Sequence, residues 1–252
     1  LNLPDAILRT RGRGAVPVIA EVKRLIPKLA AEAGRGPDGR DAGRLAECYR
    51  RGGACGISLV TERRHFGGRP EEDVPLVLRS TPLPLLIKDF ISEAAQVDCY
   101  ARLVTSVDPA CLGRVSLLLI AHRVGDDLPE LLERVHSWGM LALVETRGPE
   151  DLPLIAGAEP WLVGINNKDI DRLEVGEDGV RIDREMLAPY RELLPRSLIV
   201  SESGHRTPED VRCSLKAGAD AVLAGTAFML AEDPAEAVAA FVTAGEVAPW
   251  SG

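Results

Sequence analysis

Apolar residues gather along this chain in eight short runs: Pro17 to Val22, Gly56 to Val60, Pro84 to Lys88, Ser116 to Ile120, Leu141 to Glu145, Trp161 to Asn166, Leu198 to Glu202 and Ala221 to Gly225. Most are continuously apolar and rich in Val, Ile and Leu, the pattern of strands buried on both faces of a parallel sheet. Between them lie segments with helical spacing, such as Leu128-Leu131-Leu132-Val135, Leu187-Tyr190-Leu193-Leu194 and the shorter Val211-Leu215 pair. Strand and helix therefore alternate. Eight such units in 252 residues match a single α/β domain of the (β/α)8 barrel (TIM barrel) class. A doubly wound open sheet is the alternative, weakened by the count of eight and by the lack of a Gly-x-Gly-x-x-Gly turn after the first strand. There is no low-complexity linker. The Gly/Arg-rich stretch from Ala33 to Arg40 reads as a loop over one face of the barrel, either a lid or a plain surface insertion. Residues 1–16 form a short leading segment and 246–252 a frayed tail.

Composition narrows the function classes. A net charge of −8 argues against nucleic acid as a partner, because phosphate-backbone binding needs a concentrated positive surface. An anionic small molecule would have to be held by a local cluster of cations. The apolar stretches are too short to span a bilayer and the N-terminal segment lacks the apolar centre of a signal peptide, so a soluble cytoplasmic protein with no membrane partner is expected. Five cysteines without a Cys-x-x-Cys pair suit reduced thiols, with no disulfide and no zinc. Nothing in the sequence specifies an oligomeric state.

The candidate chemistry lies at the strand ends. Only five lysines occur among the 30 basic residues, and Lys23, Lys88 and Lys168 lie just after or within apolar runs. A buried ammonium can shift its pKa and exchange a proton, which guanidinium cannot. In a parallel barrel the C-terminal ends of the strands converge on one mouth. Those positions carry Glu21 and Lys23, Lys88 and Asp89, Glu145, Asn166 with Asn167 and Lys168, and Glu202 with Ser203 and Gly204. Singly, each has a structural explanation: an ion pair, a turn residue, a helix cap. Together they form an acid/base set around a pocket. Ser203-Gly204 and Gly225-Thr226 follow strands seven and eight, the usual phosphate position of this fold, although either glycine alone is accounted for by a tight turn.

These motifs resemble the indole-3-glycerol phosphate synthase family of tryptophan biosynthesis, from Val16 to about Ala239. The resemblance rests on Ile19-Ala20-Glu21-Val22-Lys23-Arg24, Val60-Thr61-Glu62 with Phe66-Gly67-Gly68, Lys88-Asp89-Phe90, Leu143-Val144-Glu145, Gly164-Ile165-Asn166-Asn167-Lys168-Asp169 and Ser201-Glu202-Ser203-Gly204. It implies a carboxy-lyase that closes an indole ring from 1-(2-carboxyphenylamino)-1-deoxyribulose 5-phosphate with loss of carbon dioxide and water, and without a cofactor. By the same resemblance Lys88 is the general acid, and Lys23, held by Glu21, binds the carboxylate. Glu145 is the general base of the dehydration, while Asn166 and Glu202 orient sugar hydroxyls and lysines. Phe66 and Phe90 line the aromatic pocket, and Ser203, Gly204, Gly225 and Thr226 hold the phosphate.

Three departures from the family pattern stand out. Ile26 occupies the place of a phosphate-gripping serine, with Lys28 a nearby candidate to replace that contact. Lys168 replaces an arginine, keeping the charge but losing the bidentate fork. Only 16 residues precede Pro17, where the family carries a longer extension, so a more open site is expected. They leave room for a paralogue closing a ring on a different arylamino sugar phosphate. A sugar-phosphate isomerase is disfavoured because Glu21 and Lys23 stand where that class places its base, and a non-catalytic barrel because the acid/base set is complete. No metal constellation is present: His65, His122, His136 and His205 are scattered and read as surface or loop residues, with His205 a candidate to approach the phosphate.

Overall fold

In the computed structural model, which describes residues 1–26, 41–168, 170–172 and 179–247, eight parallel strands pair in sequence order and close, the last against the first. They are β1 (Val18–Val22), β2 (Gly56–Val60), β3 (Leu85–Lys88), β4 (Val115–Ile120), β5 (Leu141–Thr146), β6 (Leu162–Asn166), β7 (Leu198–Glu202) and β8 (Ala221–Ala224). The sequence pattern places every one of them within a residue or so at each end. The stretch 33–40, Lys28, Asp169 and positions 248–252 lie outside the described residues.

Two apolar clusters explain the continuous runs. Residues at one parity of each strand, such as Val18, Ala20, Ile57, Leu59, Leu85, Ile87, Leu117 and Leu119, pack outward against the helices. Those at the other parity, including Ile19, Leu86, Leu118, Leu143, Leu162, Leu198, Val200 and Leu223, fill the lumen. Successive side chains of a strand point to opposite faces, so both faces are apolar until the lumen series reaches the mouth. There it turns polar: Ile19 is followed by Glu21, Leu86 by Lys88, Leu143 by Glu145, and Val200 by Glu202.

The longer helices are α1 (Leu3–Arg11), α2 (Ala42–Arg51), α3 (Pro70–Ser80), α4 (Ala94–Val107), α5 (Leu128–Ser137), α6 (Arg184–Leu193), α7 (Pro208–Ala217) and α8 (Pro234–Val242). Their starts follow local chemistry: Asn2, Asp41, Asp183, Thr207 and Asp233 each accept a first-turn backbone N–H, satisfying donors that a helix cannot pair internally.

Helix α1 lies at the bottom of the barrel rather than over its mouth. Leu3 and Ile7 join the lumen cluster, and Leu3 Cδ1 lies so close to Gly56, the first residue of β2, that a Cβ there would meet it at 2.6 Å. Arg11 reaches the Asp220 carbonyl just before β8. Burying Leu3 and Ile7 is worth about 1.5–3 kcal/mol each, so the segment before Pro17 plugs the lumen.

Candidate active site

At the mouth, the Lys88 ammonium is surrounded by three carboxylates. Its Nζ lies 2.8 Å from Glu202 Oε2, 3.5 Å from Glu145 Oε2 and 3.7 Å from Glu21 Oε2. Lys23 Nζ lies 2.7 Å from Glu21 Oε1, and Ser58, inward on β2 and paired in register with Glu21, donates to Glu21 Oε2 at 3.3 Å. Glu21, Lys23, Lys88, Glu145, Asn166 and Glu202 are all buried. Two lysine amines thus lie within ion-pairing distance of three carboxylates in one buried cluster, where an unpaired ion would be strongly penalised. Proton transfer within the cluster needs only short movements.

Two glycines make room for it. A Cβ on Gly164 of β6 would sit 1.8 Å from Glu202 Oε1, and one on Gly225 would sit 2.9 Å from the Glu21 Cβ. At Gly164 and Gly225 the carboxylates therefore occupy the volume that any other residue's side chain would need.

The cluster divides two cavities, both bordered by Glu21. One is lined by Val60, Glu62, Phe66, Lys88, Asp89, Phe90, Leu118 and Ile170. Phe66 is set by Glu62, whose carboxylate accepts the backbone N–H of Arg64, His65 and Phe66 at 2.8, 2.7 and 3.0 Å. Burial works to raise the Glu62 pKa, but those three donors prevail and hold it below its usual value. Phe90 is set by Asp89, which accepts the Phe90 N–H at 2.8 Å and the Tyr100 hydroxyl at 2.6 Å.

The second cavity is lined by Lys23, Lys168, Ser203, Gly204, His205, Arg206, Gly225 and Thr226. Ser203 and Gly204 take φ of +63° and +81°, turning the chain sharply after β7. At Gly204 a Cβ would meet the Gly179 carbonyl oxygen at 2.3 Å, so the turn requires glycine there. Thr226 opens a single helical turn, Thr226–Met229. Lysines, a guanidinium and a tight backbone turn make this cavity suited to an anion.

Twelve of the thirteen site residues singled out in the sequence thus belong to the cluster or line one of the two cavities, and Asn166 is the exception. Glu145 approaches Lys88 as described. Asn166 is buried at the end of β6, its Oδ1 accepting the Lys168 N–H at 3.0 Å while Nδ2 makes no hydrogen bond among the described residues. Ile26 is buried and apolar.

His205 lies in the loop after β7 and lines the cationic cavity, as the sequence suggests, but it is not a surface residue. It is buried, with Nε2 2.8 Å from Ser214 Oγ and 3.4 Å from Ser201 Oγ, because the turn at Ser203 and Gly204 tucks it between β7 and α7. Burial pushes its pKa down to about 4, against smaller opposing effects of Asp210 and the Leu223 carbonyl.

Other contributors carry no role in the sequence reading. Asn167 joins the loops after β6 and β7, donating to Ser201 Oγ, the Glu202 carbonyl and the Ser203 carbonyl and accepting from the Arg181 and Ile182 N–H groups. Ser58 and Gly164 are legible from strand parity, since each holds an inward position in an otherwise apolar strand. Arg206 and Ile170 belong to loops and carry no such signal.

The comparisons with known proteins agree with this geometry. The family model for indole-3-glycerol phosphate synthase matches residues 1–241. The indole-3-glycerol phosphate synthase of Methanopyrus kandleri is 41% identical over 231 residues, covering 91% of this chain and 84% of that protein. That of Pyrococcus furiosus is 36% identical over 229 residues, covering 90% and 92%. Among solved structures, the N-acetylmannosamine-6-phosphate 2-epimerase of Clostridium perfringens superposes with a TM-score of 0.60 at 17% identity, over 84% of this chain and 86% of that one, a likeness of fold alone. With an acid/base cluster between an aromatic and a cationic cavity, and relatives matched along nearly its whole length, the chain belongs to the indole-3-glycerol phosphate synthase family.

Proposed function

We propose that this protein converts 1-(2-carboxyphenylamino)-1-deoxyribulose 5-phosphate to indole-3-glycerol phosphate, carbon dioxide and water. The observation that carries the reading is Lys88, an ammonium 2.8 Å from one carboxylate and within 3.7 Å of two more, placed where the aromatic and cationic cavities meet. The substrate has an aryl group at one end and a phosphate at the other, with the reacting carbonyl between them. The aryl ring fits the cavity of Phe66 and Phe90, and the phosphate fits that of Lys168, Ser203, Gly204, Gly225 and Thr226.

The ring carbon bearing the carboxylate attacks the sugar carbonyl, and Lys88 gives its proton to the carbonyl oxygen as the carbon–carbon bond forms. Lys23, anchored by Glu21, holds the carboxylate until it leaves as carbon dioxide and its bonding electrons restore the aromatic ring. The new hydroxyl then takes a second proton and leaves as water. Glu145 removes a proton from the neighbouring carbon to complete the indole double bond. Two protons are delivered to the oxygen and one is recovered from carbon, so each turnover consumes one proton from solvent. Glu145 lies close enough to Lys88 to return the recovered proton. The Nδ2 of Asn166, without a hydrogen bond among the described residues, is a donor for a sugar hydroxyl, and Glu202 orients Lys88.

The test is turnover of that substrate, followed by indole fluorescence, in the unaltered protein and in Lys88→Ala. Turnover that disappears in the variant while substrate binding persists supports the reading, and equal rates in both refute it.

A further inference from the structure

The outer side of the aromatic cavity is built by residues to which the reaction assigns no role. After β4, the single turn Ala121–Val124 carries His122 and Arg123. The Arg123 guanidinium carbon lies 4.1 Å from the centroid of the Phe90 ring, in the loop after β3. The same guanidinium donates through Nε and Nη2 to Asp171 Oδ1 at 3.1 and 2.9 Å, in the loop after β6. His122 Nε2 lies 3.0 Å from Asp171 Oδ2, and its Nδ1 is 3.8 Å from Asp151 Oδ2, after β5. Asp151 in turn accepts from Arg147. Four consecutive loops are joined across the mouth in this way.

We propose that Arg123, Asp171 and His122 form a latch that positions Phe90 and Ile170, two walls of the aromatic cavity, and thereby sets which aryl groups the protein accepts. The inference rests on the functional reading above and adds positioning residues to it. Ile170 is adjacent to Asp171, is buried, and lines the cavity together with Phe90. Fixing Asp171 to the β4 turn therefore fixes one wall, and stacking Arg123 on Phe90 fixes the other from its outer side. A stability role is a weak account of the latch. The Asp171 side chain is 46% exposed and that of Arg123 34%, and an ion pair in such a setting adds little to folding. What the arrangement supplies is geometry: a planar guanidinium can stack on a ring and pair with a carboxylate at the same time, which lysine cannot do.

Arg123→Ala and Asp171→Asn, with Arg123→Lys as the conservative variant, provide the test. Three quantities are read: KM and kcat on the proposed substrate, the same constants on an analogue with one extra methyl on the aryl ring, and calorimetric binding of the unreactive analogue whose carbonyl is reduced to an alcohol. Arg123→Ala should raise KM and the Kd of the reduced analogue by about tenfold, the lower end of what one misplaced methylene costs in an apolar pocket. Its kcat should stay within about twofold, and discrimination against the methylated analogue should fall by a similar factor of about ten. Arg123→Lys should recover only part of each change, and Asp171→Asn should reproduce their direction at an exposed position where misfolding is not at issue. Variants that keep the KM, Kd and discrimination of the unaltered protein overturn the latch, as does a loss confined to kcat. Absence of binding of the reduced analogue to the unaltered protein overturns the functional reading and the latch with it, whereas binding shared equally by all variants overturns the latch alone.

Discussion

Replacing Gly164 by alanine changes no group that touches substrate, yet it should disable the site. The added Cβ would lie 1.8 Å from Glu202 Oε1, 2.9 Å from its Cδ and 2.8 Å from Leu143 Cδ2. Restoring ordinary contact requires the carboxylate to retreat by about 1.5 Å. The 2.8 Å bond from Lys88 to Glu202 cannot survive that displacement unless Lys88 follows, away from the reacting oxygen. Misplacing a catalytic group by about 1 Å can cost about 100-fold, so kcat/KM should fall by that order, or about 2.7 kcal/mol of transition-state stabilisation. Overpacking should also cost about 1–3 kcal/mol of stability, a fall in Tm of roughly 2–4 °C per kcal/mol for a chain of this size. Activity is therefore assayed by indole fluorescence well below the melting transition. Gly157→Ala is the control, since nothing lies within 4 Å of a Cβ there. In a Glu202→Ala background the carboxylate that collides is gone, and adding Gly164→Ala should change kcat/KM by less than about twofold, the non-additivity expected of residues in contact. Wild-type kcat/KM for Gly164→Ala, or full additivity with Glu202→Ala, would rule out the collision with the Glu202 carboxylate.

Asn166→Ala removes the Nδ2 donor proposed for a sugar hydroxyl and should raise KM by about tenfold, one hydrogen bond's worth, with little change in Tm; steady-state kinetics beside thermal melting separate the two effects. Asn167→Ala should do the reverse, lowering stability by about 3 kcal/mol in chemical denaturation, because five hydrogen bonds that tie the loops after β6 and β7 are lost, three of them buried. His205 gives a pH signature. Its folded pKa of about 4 lies below the unfolded value, so the unfolded chain binds the extra proton, and the stability tied to a neutral imidazole is complete above about pH 6.5 and is lost as pH falls towards 4. The loss amounts to roughly 3 kcal/mol. His205→Gln should flatten that part of the stability–pH curve, and identical curves for both proteins would contradict the burial argument.

The barrel is legible in the sequence because a parallel sheet covered on both faces leaves continuous apolar runs, and eight of them survive as distinct segments. The acid/base set is legible because Glu21, Lys88, Glu145 and Glu202 break those runs at the one end where strands converge. What is hidden depends on contacts between distant segments. Helix α1 reads as a bare leading segment, since its apolar face, Leu3 and Ile7, has meaning only against the lumen. The loop position of His205 is legible but its burial is not, because nothing local announces that the left-handed turn at Ser203 and Gly204 folds it behind β7. The latch of Arg123, Asp171 and His122 joins residues about 50 positions apart in loops, where no periodicity exists to reveal it. Ser58 and Gly164 sit between these extremes: strand parity alone places both inward, and the carboxylates explain why they are small.

The proposed reaction turns on Lys88 as the proton donor of a ring-closing decarboxylation. The most direct test gives the unaltered protein and Lys88→Ala the arylamino deoxyribulose phosphate and follows indole fluorescence, carbon dioxide release and binding of the reduced analogue. One carbon dioxide per indole is expected in the unaltered protein, with a fall in turnover of at least about 100-fold in the variant and retained binding of the analogue. Unchanged turnover in Lys88→Ala, or analogue binding by the unaltered protein without indole formation, would contradict it.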